Sequence, residues 1–241
     1  MQLTDDEIRE ILIRQRKQKK RRQRKLRRFV LLIIAVLVIV LAVGIFINRD
    51  ARINSRGIIF IDAGHGGVDG GSKVGKRLEK EDTLALSLAV RDELESLGFK
   101  VCMSRTGDED VDREERGKIA NKKNAQLFLS IHRNQASEGE GVEVYIPSKN
   151  DKESRMLGTN VINALAEQGF TKRSVRVGTL ITEKDDYVEN SVPTMPSSLV
   201  EVGFMQNKHD NQLFDGNLEN NAKAIALAIE ATFDAIYTEE E

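Results

Sequence analysis

Residues 58–61 (IIFI) are apolar at every position and run directly into the glycine-rich stretch DAGHGGVDGG, residues 62–71. A strand with no polar face needs cover on both sides. That requirement points to the inside of a sheet with helices packed above and below it. His65 stands at the crest of the turn, flanked by Gly64, Gly66 and Gly67. Glycines there let the backbone turn sharply and let another group approach the imidazole closely. One histidine does not make a site, so the question is what else arrives at the same place.

The rest of the chain after residue 57 alternates strand and helix patterns. Residues 79–97 carry Leu86, Val90, Leu94 and Leu97 at helical spacing, and Gly98 is a natural stop. Residues 99–104 (FKVCMS) read as a second strand. Residues 112–124 read as a second helix, with Asp112 and Glu115 at capping-box spacing. Residues 127–131 (LFLSI) form a third buried strand ending at His132, and residues 141–146 (GVEVYI) alternate as a less buried one. A helix over 151–167 precedes an irregular stretch at 168–197, then a strand at 198–202. Residues 218–237 form an amphipathic helix with Ala222, Ile225, Ala226, Ile229, Phe233 and Ile236 on one stripe. This alternation predicts an α/β domain over 57–241, a mostly parallel or mixed open sheet with helices on both faces.

The front of the chain has a different character. The 241 residues carry a formal net charge of −1, but residues 1–28 hold 12 Lys/Arg against 4 Asp/Glu. A basic run of this kind first suggests nucleic acid. The next segment decides against that partner: residues 29–47 (FVLLIIAVLVIVLAVGIFI) contain no charged or polar side chain. As a helix, 19 residues span roughly 28 Å, close to the ~30 Å hydrocarbon core of a bilayer. Basic residues before such a segment are the positive-inside signal. The expectation is one transmembrane signal anchor over 29–47, a basic cytoplasmic segment at 1–28, and a linker at 48–56 that keeps the outer domain near the membrane. A cleaved signal peptide is the competing account, with Ala42 and Gly44 offering a weak cleavage site. Cys102 is the one cysteine, so no disulfide forms within the chain.

Three strands end in residues able to do chemistry: His65 after IIFI, His132 after LFLSI, and Glu201 closing SSLVE. In open α/β sheets, ligands bind outside the carboxyl ends of the strands. Two histidines and a carboxylate suit one Zn²⁺, whose catalytic sites keep a fourth position for water, and a further carboxylate is needed as base. Candidates stand at the helix start, where periodicity places Glu79 with the inner residues but does not exclude Glu81. Acids at a helix start also have a plain explanation in the helix dipole.

Taken together, the motifs resemble those of the zinc-dependent N-acetylmuramoyl-L-alanine amidases of the type 3 cell-wall family. They are IDAGHGG with His65; the helix start with Glu79, Lys80 and Leu84; Arg116, Ala120, Asn121, His132 and Asn134 around LFLSIH; and Pro196, Glu201, Gly203, Phe204 and Asn207 around LVEVGF. The resemblance implies cleavage of the amide between the lactyl group of N-acetylmuramic acid and L-alanine in peptidoglycan. It implies His65, Glu79 and His132 as zinc ligands and Glu201 as the catalytic carboxylate. With the anchor, it places the enzyme in a bacterial cell membrane, catalytic domain outside. A catalytically silent wall-binding module and a zinc peptidase acting within the stem peptide are the alternatives. Arg133 departs from the small residue common in the family; it either meets a substrate carboxylate or points to solvent. Glu143 is a candidate partner for a ligand histidine or an exposed strand residue, and Asn134 a candidate substrate contact. His209 reads as a surface residue in a polar turn. Nothing in the sequence bears on oligomeric state.

Overall fold

The computed structural model describes residues 56–149 and 151–238, together with the isolated positions Arg22, Ile34 and Val38. The proposed cytoplasmic segment, the apolar run and the linker otherwise lie outside the described residues. Among the described residues, no helix is long and apolar enough to cross a membrane.

In chain order the elements are β1 (Ile58–Ala63), β2 (Lys73–Val74), β3 (Arg77–Leu78), α1 (Glu79–Ser96), β4 (Lys100–Met103), α2 (Arg113–Lys122), β5 (Leu127–Asn134) and β6 (Val142–Ile146). They continue with α3 (Lys152–Glu167), β7 (Lys172–Val177), α4 (Val188–Ser191), β8 (Ser197–Phe204), α5 (Lys208–Gly216) and α6 (Leu218–Tyr237). The main sheet has the order β4-β1-β5-β8-β6-β7. Its first four strands are parallel, β6 runs antiparallel to β8, and β7 is parallel to β6. The expected mixed open sheet is therefore present, and β2 and β3 form a separate small hairpin.

Each face of the sheet takes alternate residues of the same strands, as a period of two requires. Ile59 and Ile61 of β1, Leu127, Leu129 and Ile131 of β5, and Val200 and Val202 of β8 turn to one side. There they meet Leu86, Val90 and Leu94 of α1, Leu157 and Val161 of α3, and Ile225 and Ile229 of α6. Phe60 and Phe128 turn to the other side, stacked at 5.4 Å, against Ala120 of α2. Burying each large apolar side chain contributes about 1.5–3 kcal/mol, so β1 and β5 are held from both faces and β8 from the first. Those strands carry His65, His132 and Glu201 at the same end of the sheet.

Several expectations need correction. The stretch 168–197 is not irregular throughout, because it contains the edge strand β7 and the short helix α4. All five residues of β6 are buried, against the expectation of a less buried strand, because β8 and β7 flank it. β5 continues two residues past His132. His209 is exposed as expected, but it lies on α5, a helix whose cap is Asn207 accepting from the N–H groups of His209 and Asp210.

Candidate active site

The crest after β1 is held from below by two arginines. Arg116 of α2 donates to Asp62 (2.9 Å), to the carbonyl of Ala63 (2.7 Å) and to that of His65 (2.9 Å). Arg105 donates to the carbonyls of Ala63 (3.0 Å), Gly64 (2.9 Å) and Lys80 (2.7 Å). These bonds satisfy a run of buried carbonyls and keep His65 in the left-handed region, at φ 62°, a conformation that a non-glycine residue adopts only when its surroundings impose it. Asp62 is fully buried. Burial would raise its pKa, but Arg116 and the hydroxyl of Ser130 (2.6 Å) outweigh that and hold it below the usual range.

Two glycines make room for the imidazoles. A side chain at Gly64 would meet the His132 ring at 2.5 Å, and one at Gly71 would meet the His65 ring at 2.6 Å and the Glu79 carboxylate at 2.8 Å. The close approach that the crest glycines allow is thus that of one histidine to another. The rings of His65 and His132 lie edge to face, with centroids 4.8 Å apart.

Glu79 completes the group. Its Oε1 lies 3.2 Å from His65 Nε2 and 3.0 Å from His132 Nδ1, and Asp69 holds the opposite nitrogen of His65 at 2.9 Å. The backbone N–H groups of Arg133 (3.0 Å) and Ser72 (2.9 Å) donate to the two oxygens of Glu79. Three donors from three separate elements therefore converge, all within 4.8 Å of one another. Of the two acids at the helix start, Glu79 is buried in this group and Glu81 is exposed.

Electrostatics follow from this packing. Burial would raise Glu79, but its bonds to His132 and His65 hold it far below the ordinary carboxylate range. Burial would lower His132; the Glu79 carboxylate outweighs it and raises the imidazole to about 9. An acid and a base held this close favour a proton between them, which a cation can replace. The donor set of two imidazoles and one carboxylate fits a catalytic zinc, and the buried His132 Nε2 has no hydrogen-bond partner.

Glu201 pairs with His132 in the β5–β8 register. Burial raises its carboxyl to about 7, with Glu79 and Glu143 adding to the rise against the pull of the two histidines. Its Oε2 is buried without a hydrogen-bond partner. His65, Glu79, His132 and Glu201 all line one open cleft of about 260 Å³.

Residues 59–231 match the N-acetylmuramoyl-L-alanine amidase (Amidase_3) family. The chain belongs to that family. It is 31% identical over 175 residues to the germination-specific N-acetylmuramoyl-L-alanine amidase of Bacillus subtilis, covering 65% of this chain and 70% of the relative. The catalytic domain of the amidase CwlV from Bacillus (Paenibacillus) polymyxa var. colistinus superposes with a TM-score of 0.65 at 30% identity, covering 74% of this chain and 98% of that one. The amidase AmiC2 of Nostoc punctiforme gives 0.64 at 30% identity, covering 72% and 95%. The protein is accordingly a cell-wall amidase that hydrolyses peptidoglycan.

Two of the amidase's weaker candidates lie elsewhere than expected. Arg133 borders the cleft, but its side chain is not open to solvent: it is fully buried against Asp82, Asn211 and Phe214. Strand β5 continues past His132, so the next side chain turns to the helix-covered face. Glu143 is buried and touches neither histidine. Its carboxylate accepts from Asn134 (3.0 Å), Tyr145 (3.3 Å) and Arg173 (2.9 Å). Asn134 lines the cleft, as do Ser72, Arg113, Tyr187 and Glu189, which sequence reasoning missed. Only Asp69 left a local signal, four residues after His65 in the same loop.

Proposed function

We propose that this amidase works through one zinc ion held by His65, Glu79 and His132, with Glu201 as its acid–base group. The observation that carries the reading is the convergence of those three donors beside an unpartnered buried carboxylate on the neighbouring strand. Held by these three residues, a zinc ion would supply Lewis-acid polarisation of the scissile carbonyl and would acidify water. Asp69 fixes the tautomer and orientation of His65 through its second nitrogen. The Arg133 and Ser72 N–H groups orient both oxygens of Glu79. Glu201, with a carboxyl near neutrality, accepts the proton of the attacking water and returns it to the departing amine. Cys102 is half-buried on β4 and takes no part.

The full-length chain incubated with purified peptidoglycan and zinc is expected to release stem peptides with a free amino-terminal L-alanine, identified by mass spectrometry. A chelator should stop the release. Fragments cut between stem residues would indicate a peptidase, and no release with zinc bound would indicate a silent wall-binding module.

The membrane anchor is a second part of the proposal, supported by the basic residues ahead of the uncharged run 29–47. Residues 1–28 lie in the cytoplasm and the catalytic domain lies outside, joined by a single span. Protease added to spheroplasts should remove the domain and spare an amino-terminal tag. A soluble mature protein beginning near residue 50 would establish a cleaved signal instead.

A further inference from the structure

Arg133 is a buried cation that the proposed chemistry does not use. Its Nη1 donates to Asp82 Oδ2 at 2.8 Å, its Nη2 donates to Asn211 at 2.7 Å, and the guanidinium lies 4.1 Å over the ring of Phe214. Burial pushes its pKa down to about 10, against the support of Asp82. Holding a guanidinium there is costly, and an apolar side chain of similar volume would fill the space at least as well. The position of its partners suggests what the charge is for. The end of β5 carries His132 and, one residue on, Arg133. The first turn of α1 carries Glu79 and, three residues on, Asp82. The same two elements are therefore joined twice, by Glu79 with His132 at 3.0 Å and by Asp82 with Arg133 at 2.8 Å. A third link, the Arg133 N–H to Glu79 Oε1 at 3.0 Å, connects the two pairs.

We propose that the Arg133–Asp82 pair is a clamp that positions the metal ligands. It fixes the start of α1 against the end of β5, so that Glu79 and His132 stand at ligand distance before an ion arrives. Asn211 and Phe214 extend the clamp to α5, and Asn211 is itself held to the Met205 carbonyl at 2.8 Å. Arg133 is thus a positioning residue that sets zinc affinity. The inference rests on His65, Glu79 and His132 being the zinc site.

The network supplies its own control. Asp82 is shared with Arg77 (2.6 Å), which also binds Asp215 (2.6 and 3.0 Å). Replacing Arg133 by methionine leaves Asp82 paired with Arg77 and fills most of the volume, so the variant is expected to fold. Replacing Arg77 removes a partner of the same acid without cutting the tie between α1 and β5.

The test is zinc affinity of the full chain by chelator competition, with the unfolding midpoint of the metal-free protein measured alongside. Arg133→Met is expected to bind zinc about 10–100-fold more weakly, the usual scale for residues that orient ligands. Activity lost at low zinc should return in excess zinc. Arg133→Lys, which keeps the charge but not the planar fork, should recover part of the affinity. Arg77→Met should lose far less than about 10-fold. A folded Arg133→Met with parental affinity overturns the clamp, as does an equal loss in Arg77→Met. Should Arg133→Met not fold, Asn211→Ala takes its place: a severalfold weaker zinc site supports the clamp, and an unchanged one overturns it. A parent chain that binds no zinc overturns the metal reading itself, and this is seen before any variant is made.

Discussion

Two helices of this domain begin with acidic turns and use them in opposite ways. At α2, Asp112 precedes the first helical residue and accepts from the N–H groups of Glu114 and Glu115, so the acid serves the helix. At α1 the capping position is Leu78, whose side chain accepts nothing. There the N–H groups of Glu79 and Lys80 go to the carbonyls of Ser72 and Gly70, supplied by the glycine-rich loop. Glu79 is thereby freed to face the two imidazoles. At α1 three acids stand in the first turn without a capping side chain, and the first of these carboxylates is committed to the imidazoles. That is a readable signal for a functional acid, and it separates Glu79 from Asp112 where the helix dipole alone does not.

Substitutions at the two starts put this contrast at risk. Glu79→Ala should abolish stoichiometric zinc and activity while leaving the domain folded, measured by metal analysis and circular dichroism on one preparation. Retained zinc there would remove the distinction between the helices. Arg116→Met tests what α2 does contribute to the crest. It leaves Asp62 buried without its cation, and a loss of about 3–5 kcal/mol in unfolding free energy is expected near neutral pH. The gap should narrow as pH falls from neutrality, because a stranded Asp62, raised by burial once Arg116 is gone, takes up a proton at higher pH than the paired one does. Asp112→Ala should cost only about 1 kcal/mol of stability, the worth of a cap, and leave zinc unchanged. Glu81→Ala should shift stability by no more than about 0.5 kcal/mol, as an exposed substitution does.

The three strands that carry the site are legible in the sequence because each is short and mostly apolar and each leads to a residue with few structural reasons to be there. The long helices are legible from periodicity; the expected 218–237 is α6 as observed. Other elements obey quieter rules. Strand β7 (KRSVRV) is an edge strand, with Val175 and Val177 packed on the core and Arg176 turned the other way. Its alternation is present in the sequence, but the charges hide it. Arg133 defeats a reading in which the strand stops at its functional residue. Once β5 continues, the side chain after His132 must turn to the opposite face, where only a partner such as Asp82 makes burial tolerable. That partner comes from another element, and no local pattern announces it. The arginines beneath the crest are likewise long-range: Arg105 and Arg116 reach back about forty and fifty residues to hold His65 in place.

Whether Glu201 is the base, as proposed, or a fourth ligand is decided by one substitution. Glu201→Gln is nearly isosteric, and it is to be assayed for zinc content and peptidoglycan amide cleavage on the same preparation of the full chain. A base acts only when deprotonated. Parental kcat/KM should therefore hold above the Glu201 pKa and fall as pH drops through it, at or below about 7. The variant is expected to keep its zinc, lose about 10²-fold or more in turnover, and lose that acid limb. Loss of zinc in the variant would make Glu201 a ligand, and full activity with zinc retained would leave the reaction without its base.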